Sequence, residues 1–110
     1  MTALDEVLGA LASEPRRDIL ARLAEGEQSV GEITALLKVS QPTVSNHLKV
    51  LERAGLVSRR RVGTTRFVRL EPDPLAAAEA WLAAQRQEWT RRLERMEVEA
   101  KRIVEERKAR

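Results

Sequence analysis

Between Ser29 and Gly55 the chain holds two helix-sized segments, SVGEITALL and SQPTVSNHLKVLERAG, separated only by Lys38 and Val39. Ser29 followed three residues later by Glu32 forms a capping box, in which each side chain takes up a backbone N–H that the helix leaves orphaned. Ser40 caps the second segment, and Gly55 closes it in the left-handed conformation. Pro42 is tolerated in the first turn, because the N–H it lacks would have had no helical partner there. On each segment the apolar residues share a side: Val30, Ile33 and Leu37 on the first, Val44, Leu48 and Leu51 within a narrow arc on the second at about 100° per residue. Two short capped helices, an apolar stripe on each and a tight break predict a helix-turn-helix.

The flanking sequence extends this motif. Thr2 with Asp5 opens an apolar-periodic stretch, Leu4, Val7, Leu8 and Leu11, read as a helix ending near Ser13. Pro15 suits the first turn of a second helix, which runs through Ile19, Leu20 and Leu23 and stops at Gly26. After Gly55 the period becomes that of strands: LVSRRRVGTTRFVRL places β-branched and basic residues around Gly63 and Thr64, a hairpin, or wing. From Pro72-Asp73-Pro74 onward no helix breaker occurs before Arg110, so one long helix is expected. The predicted fold class is mainly α with a small β-hairpin, a winged helix-turn-helix of order α-α-α-α-β-β-α. Residues 1–71 form the winged domain and residues 72–110 the C-terminal dimerisation helix.

A chain of 110 residues suits one domain with a modest core. It contains no cysteine, which excludes disulfides, thiolate metal ligands and thiol catalysis. One histidine and no glycine-rich phosphate loop leave no nucleophile-base pair, and Ser45 and His47, two apart on a helix, point away from each other. No enzyme and no cofactor are expected. His47 has no Asp or Glu at three- or four-residue spacing, so no metal site is expected either. The N-terminus carries acids where a signal peptide needs bases, and the most apolar run, PLAAAEAWLAA, is broken by Glu79 well short of a membrane span. A cytoplasmic location without a membrane partner is the expectation.

Net charge is +3 but unevenly placed: residues 1–37 carry three basic and seven acidic side chains, residues 38–70 eight and one, and residues 71–110 nine of each. Clustered Lys and Arg favour a polyanion, because they release counterions from phosphates. On the helical wheel Ser45, Asn46, Lys49 and Arg53 lie opposite the core arc of the fourth helix, and Gln41 and Thr43 project from its first turn. An ordinary exposed helix of this length usually carries two or three glutamates; here only Glu52 is present, toward the edge. Short polar side chains allow close approach in a DNA major groove, where amides both donate to and accept from base edges. Gln41, Thr43, Ser45, Asn46 and Lys49 are therefore the expected base-reading residues. Ser40, His47, Arg53, Arg59, Arg60, Arg61, Thr64, Thr65 and Arg66 are the expected contacts to the DNA backbone, which position without reading sequence. His47 lies at the edge of the core arc and is read as a partly buried, hydrogen-bonded imidazole beside that face.

Along the last helix Leu75, Leu82, Trp89, Met96 and Ile103 recur every seven residues, with Leu93 and Ala100 widening the stripe. Glu88/Arg92 and Glu97/Lys101 are acid-first i,i+4 pairs, each contributing roughly a few tenths of a kcal/mol. A solvated helix with one apolar seam either packs on the first helix of its own chain or pairs with a second copy. The second is the expectation, a homodimer with Leu4, Leu8, Leu75, Leu82, Trp89 and Met96 at the interface. A strict coiled coil is not expected, because Gln85, Arg92 and Glu99 hold the complementary seam positions. Trp81 and Trp89 are read as packing residues rather than the lining of a ligand pocket.

The stretch ASEPRRDILARLAEGEQSVGEITALLKVSQPTVSNHLKVLERAGLVSRRRVGTTRFVRL resembles the winged helix of the ArsR/SmtB bacterial transcription repressors, over about residues 3–71. The likeness rests on Pro15-Arg16-Arg17, on the run from Ser40 to Ser45, on His47-Leu48, on Leu51 with Ala54-Gly55-Leu56-Val57, and on Gly63. It implies a homodimer built from the first and last helices that binds an imperfect palindrome through successive major grooves. Gln41, Ser45 and Asn46 match the family's base-contacting positions. Metal-sensing members use cysteines in the third helix or N-terminal arm, or a histidine and carboxylate cluster on the last helix. This chain has neither the cysteines nor a histidine on its last helix, and its tail resembles that of metal-independent members.

The reading reached is a sequence-specific, double-stranded-DNA-binding transcriptional regulator, a homodimeric repressor of an inverted-repeat operator whose effector the sequence does not name. The competing reading is a protein-interaction module that uses the winged helix as a scaffold and the long helix to dock a partner; it predicts no salt-sensitive DNA binding.

Overall fold

Thr2, Ser13, Ser29 and Ser40 each offer a side-chain oxygen to a backbone N–H three residues on, and a helix starts directly after each one. A computed structural model gives the fold and describes residues 2–110. The order is α1 (Ala3–Leu11), α2 (Glu14–Leu23), β1 (Gln28–Ser29), α3 (Val30–Leu37), α4 (Gln41–Arg53), β2 (Val57–Val62), β3 (Thr65–Leu70) and α5 (Asp73–Ala109). The capping boxes expected at Thr2/Asp5 and Ser29/Glu32 are both closed, each with its reciprocal pair of side-chain to backbone bonds. Ser13, expected near the end of the first helix, instead caps the second, so α1 stops at Leu11. Likewise α2 ends at Leu23, ahead of the glycine expected to stop it.

The break between α3 and α4 turns on Lys38, which adopts φ 56° and ψ 36°, left-handed backbone in a residue with a β-carbon. Gly55 supplies the same handedness at the far end of α4, with φ 75°. There Leu56 N–H donates to Leu51 O at 3.0 Å and Gly55 N–H to Glu52 O at 2.9 Å, closing the helix and turning the chain into β2. The wing pairs Val57 with Leu70 through Val62 with Thr65 in antiparallel register, leaving Gly63, at φ 62°, and Thr64 as its two-residue loop. A third strand that the sequence pattern does not announce joins the hairpin: β1 pairs with β3 (Gln28 with Val68, Ser29 with Phe67), giving the order β1-β3-β2.

Ile19, Ile33, Val44, Leu48, Leu51, Leu56 and Val68 are fully buried, drawn from α2, α3, α4, the α4–β2 turn and β3. Burying a side chain of this kind stabilises by about 1.5–3 kcal/mol. The core arc expected on the fourth helix is thus the inner face of α4, and its opposite face is fixed outward as a consequence.

The chain divides into two compact units, Met1–Ala78 and Glu79–Arg110. The second is helix alone, and its apolar residues are uncovered: Leu82 is 50% exposed, Trp89 56% and Met96 66%. An α-helix drifts about 20° per heptad against a strict seven-residue repeat. Leu82, Leu93 and Val104, eleven residues apart, drift by a similar angle in the opposite sense, so the two spacings together keep the stripe on one side. Glu88 is engaged by Arg91 at 2.8 Å and Arg92 at 3.1 Å, and Arg102 bridges Glu99 and Glu106. These exposed pairs are screened by water and serve chiefly to keep the helix solvated. Among the described residues no helix is long and apolar enough to cross a membrane.

Candidate nucleic-acid interface

With Val44, Leu48 and Leu51 in the core, α4 presents Gln41, Thr43, Asn46, Lys49 and Arg53 to solvent, and Ser45 half-exposed between them. The first turn carries no acidic residue, so the partial positive charge of the helix start is left uncompensated and favours an anion. Ser40 Oγ accepts from Thr43 N–H at 3.3 Å and lies 2.8 Å from Thr43 Oγ1. Those two hydroxyls are therefore tied to the helix start, while the side chains of Gln41, Asn46 and Lys49 make no hydrogen bond within the described residues and stay free to reach outward.

The only carboxylate on α4, Glu52, lies 3.1 Å from Arg59 Nε of β2. That guanidinium is held close, with 21% of its side chain exposed, and its Nε and Nη2 are buried without an aligned hydrogen-bond acceptor. The contact is therefore a charge pairing more than a hydrogen bond. It also neutralises the single acid on the helix whose outer face is otherwise polar and basic.

Alternation along the wing divides the four arginines expected at the backbone. Arg60 lies on the outer face of the sheet, where Glu27 receives hydrogen bonds from its Nε and Nη2 at 2.6–3.1 Å. The guanidinium also stacks 5.7 Å above the Phe67 ring centroid. The Arg60 hydrogen bond, with its charge, holds the Glu27 carboxyl below its ordinary value of 4.5 and raises the guanidinium above its own. Glu71 is similarly lowered, first by the Ser58 hydroxyl and then by Arg69. Arg61 and Arg66, by contrast, sit directly opposite each other on β2 and β3, both exposed and neither in an ion pair among the described residues. Two like charges facing across a ladder destabilise it, and a phosphate between them reverses the sign of that interaction. Thr64 and Thr65 lie beside them, exposed, at the tip.

His47 is half-buried at the margin of the α4 face, its Nδ1 3.4 Å from Arg16 Nη1. Arg16 is a residue that sequence reasoning placed only as a family signature. Nothing in its local pattern signals a contact thirty-one positions away. No group of three or more His, Cys, Asp or Glu side chains among the described residues is arranged to hold a metal ion.

Of the residues expected at the dimer interface, Leu4 and Leu75 are half-buried against the core of the first unit, and Leu8 is half-buried on α1. Leu82, Trp89 and Met96 are the exposed members of that set.

Comparison with known proteins agrees with this geometry. Residues 13–59 match the family model described as bacterial regulatory protein, arsR family. The HTH-type transcriptional regulator Rv2034 of Mycobacterium tuberculosis is 51% identical over 73 residues, 66% of this chain and 68% of the relative. The biofilm growth-associated repressor of Agrobacterium fabrum is 44% identical over 70 residues, 64% of this chain and 60% of that protein. Among solved structures, the homodimeric winged helix-turn-helix DNA-binding domain Mb0332 from Mycobacterium bovis, a possible ArsR-family transcriptional regulator, superposes with a TM-score of 0.64. It is 30% identical, with 79% of this chain and 82% of that one covered. On its fold and on these relatives, the chain belongs to the arsR family of bacterial regulatory proteins.

Proposed function

We propose that this chain is a metal-independent, homodimeric repressor that reads an inverted-repeat operator through α4. The observation that carries the reading is the outer face of α4, polar and basic, with its only acid withdrawn into a pair with Arg59 and the unpaired Arg61–Arg66 couple standing nearby on the wing. Gln41, Ser45, Asn46 and Lys49 read bases in the major groove, with Thr43 beside them. Arg61, Arg66 and Arg53, with the wing threonines, hold phosphates. Arg59 and Arg60 support the wing through Glu52 and Glu27 and add to its positive field.

Homodimerisation is supported by the exposed stripe on α5, which water penalises until a second copy covers it, and by the homodimeric state of the Mycobacterium bovis neighbour. Two copies place two α4 helices on one duplex, which calls for a palindrome. The repressor assignment draws on the relative from Agrobacterium fabrum. Metal independence draws on the lack of cysteine and the single histidine.

The test is a solution mass measured alongside fluorescence-anisotropy titrations of duplex DNA at several salt concentrations. A species of twice the 12.4 kDa chain mass whose affinity falls steeply with salt, unaffected by chelator, is expected. A monomer, or salt-insensitive association, contradicts the proposal and favours a protein-docking module.

A further inference from the structure

Arg16 stands where three helices meet. It belongs to the first turn of α2, and its guanidinium donates through Nε to Ala10 O at 2.8 Å and through Nη2 to Gly9 O at 3.2 Å. Both carbonyls lie in the last turn of α1, where the i+4 donors run out, Gly9 O taking only a tightened bond from Ala12 N–H at 3.2 Å, and where the helix dipole favours a cation. The remaining arm, Nη1, lies 3.4 Å from Nδ1 of His47 on α4.

That last contact fixes chemistry as well as position. A guanidinium has five N–H donors and no acceptor, so it attracts an imidazole nitrogen only where that nitrogen presents a lone pair. With Nδ1 occupied as the acceptor, the neutral ring carries its proton on Nε2, the nitrogen farther from the backbone. His47 is half-buried and adjacent in sequence to the exposed Asn46. Its Nε2–H is thus a donor at the margin of the α4 face, with no protein acceptor among the hydrogen bonds of the described residues.

We infer that Arg16 is a positioning residue for α4: it orients the His47 ring, and His47 Nε2–H then donates to a phosphate oxygen of the DNA backbone. The inference rests on the reading of α4 as the recognition helix and adds to it a link from α1, through one guanidinium, to a backbone contact. Because a phosphate is the acceptor, the contact carries no sequence preference.

Two substitutions separate the ring nitrogens. In His47→Gln the terminal amide takes the place of the Nε2 donor, whereas His47→Asn keeps a polar group near the Nδ1 position and has nothing at Nε2. Measured on a panel of duplexes, His47→Asn is expected to weaken binding about tenfold and equally for every sequence, and His47→Gln to stay within about threefold of the wild type. Arg16→Gln is expected to weaken wild-type binding yet to cost nothing further in the His47→Asn background, the signature of action through His47. Arg16→Lys, which keeps a cation at the α1 carbonyls, serves where Arg16→Gln folds poorly; His47→Asn and His47→Gln leave those carbonyl contacts untouched. His47 is the only histidine, so nitrogen NMR of its ring needs no assignment and should find Nε2 protonated and Nδ1 bare.

Wild-type affinity in His47→Asn, additive effects of the Arg16 and His47 changes, or a protonated Nδ1 in the neutral ring each overturn the inference while leaving DNA recognition by α4 standing. A wild-type chain that binds no duplex removes the recognition-helix reading itself, and this inference with it.

Discussion

Leu48 and Leu93 are both leucines in the middle of helices, yet Leu48 is wholly buried and Leu93 is 64% exposed. The contrast holds for the units they belong to. Among the described residues the fully buried ones all belong to the unit Met1–Ala78, contributed by its helices, turn and sheet, and they complete a core within it. Glu79–Arg110 leaves its apolar stripe open and surrounds it with exposed ion pairs. A unit with a closed core draws that burial from its own residues, so this part of its stability does not depend on protein concentration. A unit with an open stripe gains from burial only when another surface arrives, so its order is linked to association by mass action.

The largest effect expected from this contrast is in the closed core. Leu48→Ala should cost about 2–5 kcal/mol, the transfer term plus the cavity left behind, at every protein concentration in chemical denaturation. Leu93→Glu in the open stripe should leave the far-UV spectrum of the winged unit intact but abolish the dimer, and the melting temperature should lose its concentration dependence. A stripe substitution that unfolds the winged unit as severely as the core substitution would erase the distinction between the two regions.

Smaller effects should appear on the DNA face. Gln41→Ala or Asn46→Ala should reduce discrimination between operator and mismatched duplexes by about 1–3 kcal/mol, read as the ratio of dissociation constants. Arg61→Gln or Arg66→Gln should weaken all duplexes about equally and lower the salt slope by roughly one. Arg60→Gln should change that slope less than either, because its charge is already answered by Glu27.

The smallest expected effect is the pH dependence of the Glu27–Arg60 pair. Its folded-state carboxyl lies below 4.5, so its contribution to stability is present above that value and is lost as the pH falls through the lowered one. Glu27→Gln should therefore flatten the acid limb of the stability profile slightly and leave the profile near neutrality unchanged in shape.

Local chemistry explains what was legible in the sequence. The capping pairs at Thr2/Asp5 and Ser29/Glu32, Ser40, the left-handed Gly55 and the Gly63 loop are decided by residues within a few positions of one another. The inner arc of α4 follows from helical period alone. What escaped was decided at a distance or against residue type. Strand β1 is two residues long and exists because β3 lies beside it, and the left-handed turn falls on Lys38, whose side chain gives no sign of it. The wing arginines look alike in sequence; only the register sends Arg60 to Glu27 and Arg59 toward Glu52 while setting Arg61 against Arg66. Arg16 and His47 were each visible, but their meeting depends on how α2 and α4 pack.

The central claim is that α4 reads DNA as one of a symmetric pair. Its most direct test is selection of binding sites from random duplex DNA by the wild-type chain and by an Asn46→Ala variant in parallel. An enriched inverted repeat with half-sites about one helical turn apart, degraded at the same position in both half-sites by the variant, is the predicted result. Enrichment of no sequence, or an identical motif from both proteins, would contradict it.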